Sequence, residues 1–179
     1  MISDTVYNFW CDGPRGFASP GLDGIISDEY AAGLYDHQTL AFGGAMARMS
    51  RQFKGKTFYI YSLNIAGNEA GASFVRELIQ YGYKFAEEVY LREQPTESAA
   101  KELIKAELTL RMLRYKKAIP DCQKGMIVCF GYLSEPPETL DTNSGTDWKV
   151  YMDMQFNHIA NDPLFSGLYG VMWYHSAFS

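Results

Sequence analysis

Histidine and cysteine are scarce in this 179-residue chain, at three each. Cys11, Cys122 and Cys129 form no CxxC pair, and no histidine stands at metal-ligand spacing from them. That arrangement argues against a disulfide framework and a zinc site alike. A metal-dependent enzyme would need several His and carboxylate ligands converging on one point, and the chain has few histidines to offer. No metal and no organic cofactor is expected. GxGxxG and GxxxxGK[ST] are both missing, which removes the phosphate-binding turns of dinucleotide and nucleoside triphosphate proteins. GxSxG is missing too, and no Ser/His/Asp arrangement stands out. No run reaches the ~20 apolar residues of a membrane span. Residues 1–20 lack the basic start and apolar core of a signal peptide, although a chain that begins in mid-protein leaves the compartment open. Positive charge is short as well: 16 Lys and Arg against 21 Asp and Glu give a net charge of -5. A partner held by phosphate neutralisation, such as a nucleic acid, is therefore excluded. The basic residues Lys101, Lys105, Arg111, Arg114, Lys116 and Lys117 fall on one predicted helix and read as its solvated face.

What is present is apolar and aromatic. With 47% hydrophobic and 15% aromatic residues, the chain can fill a core and is expected to be ordered throughout as one domain over 1–179. Short apolar, β-branched or aromatic runs predict strands at residues 22–29, 57–64, 84–92, 126–134 and 167–175, with a weaker one at 5–10. Helical periodicity predicts helices at about 38–52, 70–81, 96–117 and 147–161. Thr96-Glu97-Ser98 after Pro95 opens the longest of these, Pro120 closes it, and Gly82 ends the helix before the 84–92 strand. Strand and helix alternate without a hairpin signal, so the strands are expected to be parallel.

Both a barrel and an open doubly wound sheet fit that alternation. The missing phosphate turn argues against the open sheet. Polar residues collected at the strand ends favour the barrel, which keeps its chemistry at that mouth. The expected fold is α/β, a partial (β/α)8 TIM barrel of about five to six consecutive βα units. Because an eight-unit barrel normally takes roughly 250 residues, and because the last strand is followed by no covering helix, both ends read as cuts. The parent's N-terminal strands would then be missing, and such an open part is expected to be inactive alone.

The sharpest local feature is DGIISDEY at residues 23–30, a strand running into two adjacent carboxylates. Successive side chains on a strand face opposite ways. If Ser27 points inward, Glu29 does too, which makes Glu29 the first candidate for a catalytic carboxylate, with Asp28 supporting it from the loop side. Glu87 and Glu88 must split between faces likewise, and Glu88 and Glu93 are substitute carboxylates, with Arg92 a possible ion partner. Asn64, Tyr90, Glu93, Tyr132, Trp173 and His175 sit near strand ends, where rings could stack on sugar faces and polar groups could bind hydroxyls. His158 and His37 read as packing or capping residues.

DGIISDEY, the strand ending in YLRE, the run MIVCFGYLS and the segment YMDMQFNHIANDPLFSGLYGVMWYHS resemble the C-terminal half of uncharacterised glycoside-hydrolase-like TIM-barrel proteins of bacterial and metagenomic origin. The resemblance covers most of the chain and implies a carbohydrate substrate or ligand. Counting the last strand as the eighth makes residues 22–29 strand four and 126–134 strand seven. The resemblance then maps a retaining glycosidase's acid/base onto Glu29 and its nucleophile onto Glu135, one to protonate the leaving oxygen and the other to attack the sugar. Two other readings stay open: a non-catalytic carbohydrate-binding or interaction barrel that keeps the aromatic mouth, and a different barrel enzyme built on His-rich ligands.

Overall fold

The computed structural model describes residues 2–28, 30, 36–133, 140 and 142–175. The elements run α1 (Ile2–Cys11), β1 (Gly24–Ser27), α2 (Asp36–Gln52), β2 (Thr57–Ser62), α3 (Glu69–Gln80), β3 (Lys84–Val89), α4 (Glu97–Ile104), α5 (Leu110–Ala118), β4 (Met126–Tyr132), α6 (Trp148–Asn161) and β5 (Gly170–His175). A π-helical turn, Lys105–Thr109, joins α4 to α5, so the long helix predicted at 96–117 is one continuous rod. Thr96 caps it by accepting the N–H of Ala99 at 3.2 Å. Asn68 caps α3 in the same way, taking the Gly71 N–H at 2.8 Å. After α3 the chain reverses through Gly82, whose φ of 81° suits a residue without a Cβ.

The weak strand expected at 5–10 is instead part of α1. A strand would send Tyr7 and Trp10 to opposite faces, whereas a helix puts Val6, Tyr7, Trp10 and Cys11 on one. That face is buried, and Trp10 packs against Phe42 and Phe58 at ring distances of 4.9 and 4.8 Å.

All five strands are parallel, and they lie in the sheet in the order of the sequence, β1-β2-β3-β4-β5. A doubly wound sheet reverses its strand order partway and so carries helices on both faces. Here the order never reverses, and every helix covers the same face. The sheet curls into a half-barrel, the shape of a partial barrel. The helix side holds the main core, in which Phe58, Ile60, Phe85, Val89, Val128 and Phe130 meet Met46, Leu78, Ile104 and Met112. On the concave side, Ala86, Ile127 and Cys129 are buried among Tyr59, Tyr61, Tyr90 and Met172. Strand side chains thus divide with period two, and the register fixes which member of each pair faces which way.

Among the described residues no helix is long and apolar enough to cross a membrane.

Candidate functional site

Glu87 and Glu88 separate as the alternation requires. Glu87 enters the helix side and is fully buried. Its carboxylate accepts Arg111 Nη1 at 2.8 Å, the backbone N–H of Asn64 at 3.0 and 3.2 Å, and the Tyr115 hydroxyl. Every one of these partners is a donor, the arrangement that satisfies an ionised carboxylate. Burial pushes the Glu87 carboxyl upward, with Tyr115, Arg111 and the Asn64 amide opposing it. Its ion partner is Arg111 on α5. Arg111 itself is withdrawn from the solvated face expected of it, with only 13% of its side chain exposed. It also donates to the Glu88 carbonyl at 3.0 Å and to Glu107, so one guanidinium ties β3 to the helix layer.

Glu88 turns to the concave side, where it belongs to a row that crosses the sheet. Tyr90 donates its hydroxyl to Glu88 Oε1 at 2.9 Å. Burial and that bond raise the Tyr90 phenol far above its ordinary range, so it stays protonated and remains a donor. On β2, burial lifts the Tyr61 phenol, with the Asp28 and Glu88 carboxylates adding to the shift. By register Asp28, directly after β1, comes beside Tyr61, and Glu88 lies two residues beyond Ala86, the β3 partner of Tyr61. Cys129, on β4, is held as a thiol, its pKa pushed up to about 11 chiefly by burial. Tyr174 on β5 completes the row and stacks on Tyr90 with ring centres 6.2 Å apart and planes 21° from parallel.

Glycine makes this packing possible at one position. A Cβ on Gly131 would lie 2.6 Å from Tyr90 Cδ1, inside the ring's van der Waals envelope. Only a hydrogen there lets Tyr90 lie flat against β4 and reach Glu88.

The other sequence-predicted residues lie elsewhere. Ser27 pairs in register with Ile60 and so faces the helices, which overturns the premise that it points inward. Glu29 and Glu135 lie outside the described residues. Tyr132, Trp173 and His175 share the register positions of the helix side, because Trp173 pairs with Phe130 and His175 with Tyr132. Tyr132 is stacked between Trp148 at 4.2 Å and His175 at 5.4 Å. These rings border a groove against α6 rather than the concave face. Asn64 has a left-handed backbone, φ 55°, that aims its N–H at Glu87. Its side chain packs over Gly67. Glu93 is buried on the helix side, where it accepts the N–H of Asn143 at 3.3 Å and its own N–H reaches the Leu140 carbonyl at 3.0 Å. His158 lies 2.7 Å from Thr109 Oγ1, a contact that braces α6 against the π turn.

The concave face thus brings together Asp28, Glu88 and Tyr90 from the expected set. It adds Tyr61, Cys129 and Tyr174. Tyr61 was findable, since Tyr59 and Tyr61 stand two apart on one strand and must share a face. Among the described residues no group of three or more His, Cys, Asp or Glu is placed to hold a metal ion.

No family model matches the chain, and neither does any curated protein or solved structure. Its function has to be argued from this geometry.

Proposed function

We propose that the half-barrel works as part of a (β/α) barrel of glycoside-hydrolase type, which binds carbohydrate against its concave face and hydrolyses a glycosidic bond there. The observation that supports this most is the pair of carboxylates, Asp28 and Glu88, carried by the two strands that flank β2, with Glu88 held by the Tyr90 hydroxyl. Glycoside hydrolysis needs one carboxyl group to give a proton to the leaving oxygen and another to act on the anomeric carbon or on water. Glu88, fixed in position by the Tyr90 hydroxyl, is placed to act as base or nucleophile. Asp28 is its acid partner. Asp28 stands level with Ala86, so Glu88 lies two positions further along. With one strand between them, the two Cα atoms are about 12 Å apart. A carboxyl pair spaced widely enough to hold a water between its members would act with inversion. Tyr174, 53% exposed on top of Tyr90, offers a ring to a sugar's C–H face.

That same ring pair supports a second reading, a carbohydrate-binding barrel without turnover. Binding and hydrolysis of an oligosaccharide panel by the protein and its variants separate the two. Hydrolysis predicts that Glu88→Gln keeps sugar binding and loses roughly 10²–10⁴-fold in turnover. Binding that Tyr174→Ala weakens, with no turnover in the parent protein, favours the second reading. Absence of binding to every sugar in the panel rules out both.

A further inference from the structure

The two edges of the half-barrel differ, and each lacks what the other has. At the β1 edge a helix overhangs a strand with no neighbour on its far side among the described residues. Phe9 on α1 is 82% exposed and lines, with Trp10, Ile25 and Arg15, an open groove of about 470 Å³ beside β1. At the β5 edge the vacancy is reversed. Val171 and Trp173 point to the helix side, yet they are 40% and 62% exposed. Phe156 of α6 meets one flank of Trp173 at a ring distance of 6.1 Å, and the two rings border an open groove of about 440 Å³. At one edge a helix projects past the last strand, and at the other the last strand is only partly covered by its helix.

We infer that a second copy of this chain closes the half-barrel: β5 of each copy pairs in parallel with β1 of the other, and α1 of each covers the other's Val171 and Trp173. The sheet curls through half a barrel, so its two edges face each other across the opening and their strands run the same way. A two-fold rotation about the barrel axis carries the β1 edge of one copy onto the β5 edge of the other and keeps every strand parallel. The same rotation makes the second seam identical to the first, so the head-to-tail contact closes instead of propagating. Each seam gives a hydrogen-bonded ladder to two strand edges that otherwise expose their backbone groups. The concave surface becomes the lining of the lumen, sheltering Ile26, which is 57% exposed in one copy. A barrel made of two five-stranded sheets is wider than an eight-stranded one. Its lumen has room for the large concave rings of Tyr59, Tyr61 and Tyr90.

This inference goes beyond the carbohydrate reading and does not depend on it, because its readout is mass. Gel filtration with light scattering at micromolar concentration is expected to give twice the 20.3 kDa of one chain. Phe9→Asp and Trp173→Asp, both at exposed positions, are expected to give folded monomers by circular dichroism. A covalent test does not depend on those variants folding. Phe9→Cys chains mixed with Val171→Cys or Trp173→Cys chains should be bridged by a short bismaleimide, and neither variant should be bridged by itself. The native cysteines Cys11, Cys122 and Cys129 are buried and do not compete. A monomeric parent protein overturns the inference and leaves closure to further strands of a longer chain. Species larger than a dimer overturn the two-fold geometry. A dimer unmoved by both aspartates, with no mixed bridge, overturns the proposed seam.

Discussion

Replacing Arg111 with methionine should be among the most damaging changes available to this fold. Among the described residues the guanidinium is the one cation bound to the fully buried Glu87, and its loss leaves that carboxylate with the Tyr115 hydroxyl and the Asn64 N–H. Removing one partner of a buried pair costs about 3–5 kcal/mol, because the remaining charge stays out of water without compensation. Against a domain stability of about 5–15 kcal/mol, that is a large part of the total. The loss has a pH signature. In the parent protein the Glu87 carboxyl is already raised by burial, so its ionisation weakens the fold as pH climbs from the ordinary carboxylate value of about 4.3 through the folded one. Without Arg111 the folded value rises further. The deficit of Arg111→Met is then fully present above that value, shrinks as pH falls through it, and is smallest once Glu87 is protonated in both folded and unfolded chains. Adding Glu87→Gln should recover much of the loss, since a neutral amide needs no cation. Urea unfolding followed by circular dichroism across pH 4 to 8, in a double-mutant cycle, reads all of this. A deficit under about 1 kcal/mol, or one that does not change with pH, would refute the assignment of Glu87 as a buried charge held by Arg111.

Gly131→Ala should cost about 1–3 kcal/mol by overpacking, because its methyl collides with Tyr90 Cδ1 and pushes the hydroxyl off Glu88; unfolding curves and turnover should fall together. Tyr90→Phe removes only the donor, so it should change stability by about 1 kcal/mol or less while lowering any turnover, since Glu88 then loses the bond that fixes its position. With its thiol near 11, Cys129 should have about one part in ten thousand as thiolate at pH 7. A disulfide reagent should therefore label it very slowly in the folded protein and react at once with all three buried cysteines after denaturation.

The order of strands and helices was legible in the sequence because periodicity is a local property. The runs at 57–64, 84–92 and 126–134 contain β2, β3 and β4, and the Thr96 and Pro120 signals bracket the long helix. The one misread element, residues 5–10, is too short for alternation to separate from a helical stripe, and the packing of Trp10 on Phe42 and Phe58 decided it. That Glu87 and Glu88 part company was also legible, since a strand cannot point neighbouring side chains the same way.

Which of the two is buried could not be read from that rule. It depends on the face the helices cover and on where Arg111, 24 residues further along, brings its charge. The same parity decided that Ser27, Trp173 and His175 face the helices while Glu88, Tyr90 and Tyr174 face the concave side. Sequence alone therefore determined the alternation, the parallel strands and the paired choices at each strand end, because these follow from backbone geometry over a few residues. Tertiary structure made each choice, because a side chain's face is fixed only when strands register against one another and the helix layer takes one side of the sheet.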